Sequence, residues 1–205
     1  MPKTKPNRKE ENRLKKLGYK NIAGADEAGR GSWAGPIVAA AVILPTKFNI
    51  PAVNDSKKLS PKKREELYEK IIKKAVDYNV SILSNKDIDK GGVGKANKKV
   101  LIKSVAGLKT KVDHALIDSF EIKIPNIKST SIVHGDSKVL SIAAASIIAK
   151  VTRDRLMVKY DMQYPHYGFA RHKGYGTKIH HHNLYKYGVS PIHRRSYKPI
   201  RELLK

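Results

Sequence analysis

Asn21-Ile22-Ala23-Gly24-Ala25-Asp26-Glu27, followed by Ala28-Gly29-Arg30-Gly31, is a short apolar run that ends in two carboxylates and then in a turn. It reads as a strand with its charge at the C-terminal end. Neighbours on a strand point to opposite faces. Asp26 and Glu27 can therefore share a site only if the strand ends there and the chain twists. Gly29 and Gly31 supply that freedom. Further on, Ile37 to Leu44 is a continuous small and β-branched run closed by Pro45. Such a run suits a strand buried on both faces.

Outward from this pair the chain alternates strand and helix signals. Ser60-Pro61 reads as an N-cap and first helical position. The helix after it carries Leu67, Ile71, Ile72 and Ala75 on one face and Lys and Glu on the other. Val80 to Leu83 reads as a strand. Gly91, Gly92 and Gly94 mark a loop before a second helix near Ala96 to Leu108. Ala115 to Phe120 and Ser131 to Asp136 are two further expected strands, each with an acid near its C-terminal end. Val139 to Tyr160 is the longest helix signal, and its run Ala143-Ala144-Ala145-Ser146 is small enough to lie close on a sheet. From Gln163 onward Tyr, His, Gly and basic residues dominate, and six of the eight histidines lie there. The expected organisation is a basic extension over 1–20, an α/β layered core over 21–160, and a smaller C-terminal section over 161–205.

Composition narrows the function. The 205 residues hold 42 Lys and Arg against 18 Asp and Glu, a formal charge of +24. Self-repulsion of this size is relieved by a polyanion, which points to nucleic acid. Charge alone fits a non-catalytic binder as well as an enzyme. The absence of cysteine excludes disulfides, thiolate metal sites and a cysteine nucleophile. The longest apolar stretch, around Pro36 to Leu44, is far short of a membrane span, and no signal-peptide layout precedes it. A cytoplasmic location is the default expectation. Met1 to Lys20 holds eight basic and two acidic side chains. It reads as a solvated tail, or as an arm that adds phosphate contacts.

Acids are scarce, so their positions carry information. Asp26, Glu27, Asp118 and Asp136 all fall at or near expected strand ends, beside a core where an unpaired carboxylate is costly. Crowded carboxylates raise one another's pKa unless a cation sits among them. An all-oxygen set suits Mg²⁺ or Mn²⁺, and two such ions can drive phosphodiester hydrolysis.

Taken in order, these residues resemble the ribonuclease HII family. Gly24-Ala25-Asp26-Glu27-Ala28-Gly29-Arg30-Gly31 with Ala34-Gly35-Pro36 is similar to its first motif, and Asp55-Ser56-Lys57-Lys58-Leu59 to its second. Ile117-Asp118 resembles the third. Gly135-Asp136-Ser137-Lys138 through Ala144-Ala145-Ser146 to Arg153-Asp154 resembles the fourth. Tyr164-Pro165, Tyr167-Gly168-Phe169, His172-Lys173-Gly174-Tyr175-Gly176-Thr177 and His193-Arg194-Arg195-Ser196-Tyr197 resemble the C-terminal signature. The likeness covers about residues 21 to 199.

The resemblance implies an RNase H-like fold with a mixed central sheet and a helical C-terminal section. It implies a metal-dependent endonuclease for RNA–DNA hybrids and for ribonucleotides embedded in duplex DNA. Asp26, Glu27, Asp118 and Asp136 would hold Mn²⁺ or Mg²⁺, as a two-metal site. Gly29, Arg30 and Gly31 would meet the ribose 2′-OH, which alone tells RNA from DNA at one site. Tyr175 would pack on the deoxyribose that follows, and Lys57 and Lys138 would contact phosphate. A monomer is expected, and the C-terminus shows no clear sliding-clamp peptide. Where the family usually has an asparagine, this chain has Gly92.

Other features have plainer readings. His180-His181-His182 cannot all face one ion from a regular helix and reads as a polar helix or loop. Trp33 reads as packing over the Gly29–Gly31 turn, with stacking on a base or sugar as the alternative. Asp154 reads as an i,i+4 partner of Lys150, and Arg153 and Arg155 as flanking the helix or contacting backbone.

Overall fold

A computed structural model describes residues 5–118 and 121–204. Its five-stranded sheet is built from β1 (Ile22–Ala28), β2 (Ile37–Ile43), β3 (Asp77–Leu83), β4 (His114–Ile117) and β5 (Lys128–Ser131), in the order β3-β2-β1-β4-β5. β1, β2 and β3 pair antiparallel, whereas β4 and β5 run parallel to β1. The sheet is mixed, as expected. All seven residues of β2 are buried. Ala40 and Val42 face one layer of helices and Ala39 and Ala41 the other.

Among the described residues, seven helices surround the sheet: α1 (Lys9–Lys16), α2 (Pro61–Lys74), α3 (Asn85–Ala106), α4 (Leu140–Gln163), α5 (Phe169–His172), α6 (Lys178–Tyr187) and α7 (Lys198–Glu202). α2 and α4 cover one face, with Leu67 and Ile71 packed against the alanine run of α4. α3 covers the other through Ala96, Val100 and Leu101. Ser60 caps α2, its hydroxyl accepting from the Lys63 N–H, and Pro61 opens the helix. The C-terminal section closes on the far end of α4, where Met157 meets Phe169, Leu184 and Ile200. No helix among the described residues is long and apolar enough to cross a membrane.

Three expectations change. The strand expected over Ser131 to Asp136 lies earlier, at Lys128–Ser131, and Gly135–Ser137 is a single 3-10 turn. β5 is polar because it is an edge strand, so it lacks the apolar run that marks a buried one. The glycines at 91, 92 and 94 do not form a loop. α3 passes through them with a kink at Gly92, whose φ is +78°, a conformation that glycine adopts freely. The described part of the N-terminal extension is folded. Leu14 is buried with Ile22, Leu116, Val139 and Ile142. Of the strand expected over Ala115 to Phe120, residues 119 and 120 lie outside the described ones.

Candidate active site

Register brings the acids together. Ala25 of β1 pairs in parallel with Ile117 of β4, so Asp118 begins beside Asp26, with its N–H donating to Ala25 O at 3.0 Å. Asp136 arrives on the 3-10 turn. That turn is tied back to Asp118: the Gly135 N–H donates to Oδ1 at 3.2 Å and the Asp136 N–H to Oδ2 at 3.5 Å. One carboxylate oxygen each from Asp26, Asp118 and Asp136 lie within 4.8 Å of one another. Asp26 and Glu27 line the same cavity despite being neighbours, because β1 ends one residue later at Ala28.

The cavity encloses about 370 Å³ and is lined by Asp26, Glu27, Gly29, Arg30, Gly31, Lys57, Asp118 and Tyr175 of the expected set. Lys138 is placed elsewhere. It is exposed, its ammonium donates to Val133 O at 2.7 Å, and it lines a separate cleft with Asn7 and Lys9. Asn97 and Lys150 also line this cavity; Asn97 carries no motif that would single it out in the sequence, and Lys150 reads there only as the partner of Asp154.

Electrostatics follow from crowding. Burial, then the charges of Glu27, Asp118 and Asp136, push the Asp26 carboxyl well above its usual range. Burial and Asp118 push Glu27 up to about 7, with Arg30 and Lys57 pulling back. Burial and Asp136 raise Asp118 as well. Lys57 answers this charge. Its ammonium lies 3.1 Å from Asp136 Oδ2. Partial burial pulls it down, but Asp136, Asp26 and Asp55 outweigh burial and push it to about 12. The Asp55 carboxylate accepts from the Lys57 N–H at 2.9 Å and so holds that loop. The donors are all oxygens, crowded and mostly buried, which fits a hard divalent cation.

The Gly29–Gly31 turn rests on two buried arginines. Arg153 donates to Pro36 O at 3.0 Å, Ala34 O at 3.2 Å and Lys173 O at 2.9 Å. Arg194 donates to Gly35 O, Pro36 O and Arg30 O at 3.0, 3.1 and 2.9 Å. Both guanidiniums are fully buried. Carbonyls rather than carboxylates satisfy them, and the planar fork of donors suits that task. Gly29 sits at φ +92°, and a Cβ there would stand 2.0 Å from Arg153 Nε. Gly31 has nothing within 4 Å of such a Cβ. The first glycine is needed by the fold, and the second faces open space. The role of Arg153 and Arg194 was not legible in the sequence, where they are two of 42 basic residues.

Two cations lie over the Tyr175 ring. Arg153 lies 5.3 Å and Lys150 5.5 Å from its ring centre. Its carbonyl accepts from the Thr177 N–H at 2.8 Å and from His180 Nδ1 at 2.9 Å. His180 is fully buried on α6, so the three consecutive histidines form no joint metal site. Trp33 packs on Gly176, where a Cβ would approach its ring to 2.2 Å. Lys150 and Asp154 form the expected i,i+4 pair at 2.7 Å. Arg155 pairs with Glu65 and Glu69 of α2. Asp89 in α3 accepts from the N–H groups of Arg195 and Ser196, which ties the start of that helix to the C-terminal section.

Comparison with known proteins agrees with this geometry. The family model described as Ribonuclease HII matches residues 23–200. A Ribonuclease HII from Bacillus cytotoxicus is 50% identical over 198 residues, covering 96% of this chain and 76% of that protein. One from Acholeplasma laidlawii is 53% identical over 188 residues, covering 92% of each. Among solved structures, the ribonuclease H2 from Pyrococcus horikoshii OT3 superposes with a TM-score of 0.77 at 29% identity, covering 90% of this chain and 97% of that one. With its strand order, its acidic cluster and its glycine–arginine–glycine turn, the chain belongs to the ribonuclease HII family.

Proposed function

We propose that this protein is a type 2 ribonuclease H, an endonuclease that hydrolyses the RNA strand of RNA–DNA hybrids and cuts 5′ to ribonucleotides embedded in duplex DNA. Family membership supports the activity on hybrids. The observation that carries the finer reading is the cavity itself, where Asp26, Glu27 and Asp118 share a wall with the open glycine of a rigid turn, and a carboxylate oxygen of Asp136 lies within 4.8 Å of one from each of the two aspartates.

Asp26, Asp118 and Asp136, with Glu27 beside them, would hold Mg²⁺ or Mn²⁺, in a two-ion arrangement. Such ions supply the charge that activates an attacking water and stabilises the leaving oxygen. The chain's own residues do the rest. Gly31 leaves room for a sugar edge, and the turn carrying Gly29 and Arg30 is fixed by Arg153 and Arg194, so the ribose 2′-OH meets a preset surface. Tyr175 offers a ring face to the next, unhydroxylated sugar. Lys57 spans the carboxylates and the cavity mouth, where a scissile phosphate would arrive. Lys138, on the neighbouring surface, would contact phosphate farther along the backbone. In-line attack on the phosphate 5′ to the ribonucleotide leaves a 3′-hydroxyl and a 5′-phosphate.

The test is a duplex with one ribonucleotide, an RNA–DNA hybrid and an all-DNA duplex, each incubated with Mn²⁺, Mg²⁺ or chelator and resolved on a denaturing gel. The reading expects metal-dependent cuts in the first two alone. An intact ribonucleotide strand would make the protein a binder, and a cut all-DNA strand would make it a non-specific nuclease.

A further inference from the structure

The first turn of α4 has no capping side chain of its own, since Val139 stands at its N-cap. A helix start leaves N–H groups without intrahelical partners. Here the N-terminal segment, outside the residues matched by the family model, supplies partners for two of them. The Leu140 N–H donates to Asn7 O at 2.9 Å, and the Ser141 N–H donates to Glu11 Oε1 at 2.9 Å. The Asn7 N–H in turn donates to Lys138 O at 3.0 Å. Three backbone groups between positions 138 and 141, just after Asp136, are thus bound by residues 7 to 11.

Glu11 is only 2% exposed, and its Oε2 has no hydrogen-bond partner among the described residues. A carboxylate so buried is costly unless something compensates. The positive end of the 24-residue α4 does so. Leu14, one turn on, packs against Val139 and Ile142 of the same helix start. That start touches the catalytic frame on two sides. The Ser141 backbone lies against Gly24, where a Cβ would come within 2.2 Å, and Ile142 lies against Gly135, where a Cβ would come within 2.6 Å. Gly24 stands two residues before Asp26, and Gly135 stands next to Asp136.

We propose that Glu11 is a positioning residue of the nuclease: it anchors the start of α4 and thereby sets the separation of Asp136 from Asp26 and Asp118. The segment over 7–16 is then part of the metal site's support rather than a solvated tail. Groups that orient metal ligands typically change metal affinity by ~10–100-fold when lost.

The test is calorimetric titration of Mn²⁺ into the full chain without nucleic acid, at a temperature well below melting. Glu11→Ala is expected to weaken Mn²⁺ binding by ~10-fold. Glu11→Gln keeps an acceptor oxygen for the Ser141 N–H and is expected to recover most of the affinity. Leu184→Ala, in the C-terminal cluster, is the control for lost stability alone and should leave Mn²⁺ affinity unchanged. Wild-type affinity in Glu11→Ala would overturn the role of Glu11. So would equal weakening in Glu11→Ala and Leu184→Ala. Because the role rests on the nuclease reading, absence of Mn²⁺ binding and of cleavage in the wild type would overturn both, whereas wild-type cleavage with an unchanged Glu11→Ala overturns this inference alone.

Discussion

His193 Nε2 lies 2.9 Å from His180 Nε2, and the bonds on either side decide which of the two carries the proton. The Ser190 N–H donates to His193 Nδ1 at 2.9 Å, so that nitrogen is an acceptor. His193 Nε2–H therefore donates to His180 Nε2, and His180 Nδ1–H donates to the Tyr175 carbonyl at 2.9 Å. The chain of bonds runs from the C-terminal loop to the tyrosine of the cavity, and it works only while both rings are neutral. Burial, then the Tyr175 carbonyl and His172 acting in opposite directions, leaves His180 at about 4. Burial and His180 leave His193 at about 3.

A pH-dependent stability follows. The unfolded chain takes up a proton at each histidine near the ordinary 6.5, and the folded chain does so only near 4 and 3. The stabilisation is complete above pH 6.5 and is lost as pH falls through that window, by up to about 1.4 kcal/mol per pH unit for each ring. Glu27, raised to about 7, works the other way in metal-free protein, gaining stability as pH falls through 7. The histidine part is therefore read as a difference. The melting-temperature gap between wild type and His180→Gln is expected to narrow between pH 7 and pH 4. A gap that stays constant would mean the rings titrate alike in both states.

The two glycines of the turn should respond differently. Gly29→Ala must strain a backbone at φ +92° and displace Arg153. It is expected to cost about 2 kcal/mol or more of stability. Gly31→Ala meets nothing within 4 Å and should melt within about 0.5 kcal/mol of wild type. Its cleavage at a single ribonucleotide should nonetheless fall if the proposed function holds, because the methyl would then fill the space a sugar takes. Melts and initial rates on the two variants check this. Equal melts would remove the distinction.

The cluster's repulsion can be weighed without metal. Among the described residues, Asp26 has three carboxylate neighbours and no ion pair, whereas Asp136 holds Lys57 at 3.1 Å. In chelator, at a pH high enough to ionise the cluster, Asp26→Asn is expected to melt above wild type, because it removes a charge that burial and its neighbours disfavour. Lowering the pH protonates Asp26 in the wild type and closes the gap. Asp136→Asn gives up the lysine contact and should show no such gain. Differential scanning calorimetry in chelator reads both.

Much of this site was legible in the sequence. Asp26, Glu27 and the turn after them are contiguous, so their grouping needed only a strand end. Asp118 followed because an acid closing an apolar run is unusual. The sequence points to Asp136 but not to its setting: the apolar pattern places a strand over Ser131 to Asp136, while β5 is the polar stretch Lys128–Ser131, which carries no such pattern. Arg153 and Arg194 fall inside the family-like motifs, but their task is not legible there, because a buried arginine bonded to carbonyls has no local signature. Glu11 was hidden for a related reason. One acid in a basic segment reads as solvated until Leu14, one turn on, is seen to dock that face.

The central claim is that this acidic cavity is the metal centre of a ribonucleotide-directed nuclease. The most direct measurement compares wild type with Asp136→Asn on a DNA duplex carrying one ribonucleotide as Mn²⁺ is titrated, following cleavage on a denaturing gel and duplex binding in parallel. The account expects the wild type to cut on the 5′ side of the ribonucleotide, and the variant to bind the duplex while losing nearly all cleavage. Full cleavage by Asp136→Asn, at the same position and the same Mn²⁺ concentration, would contradict it.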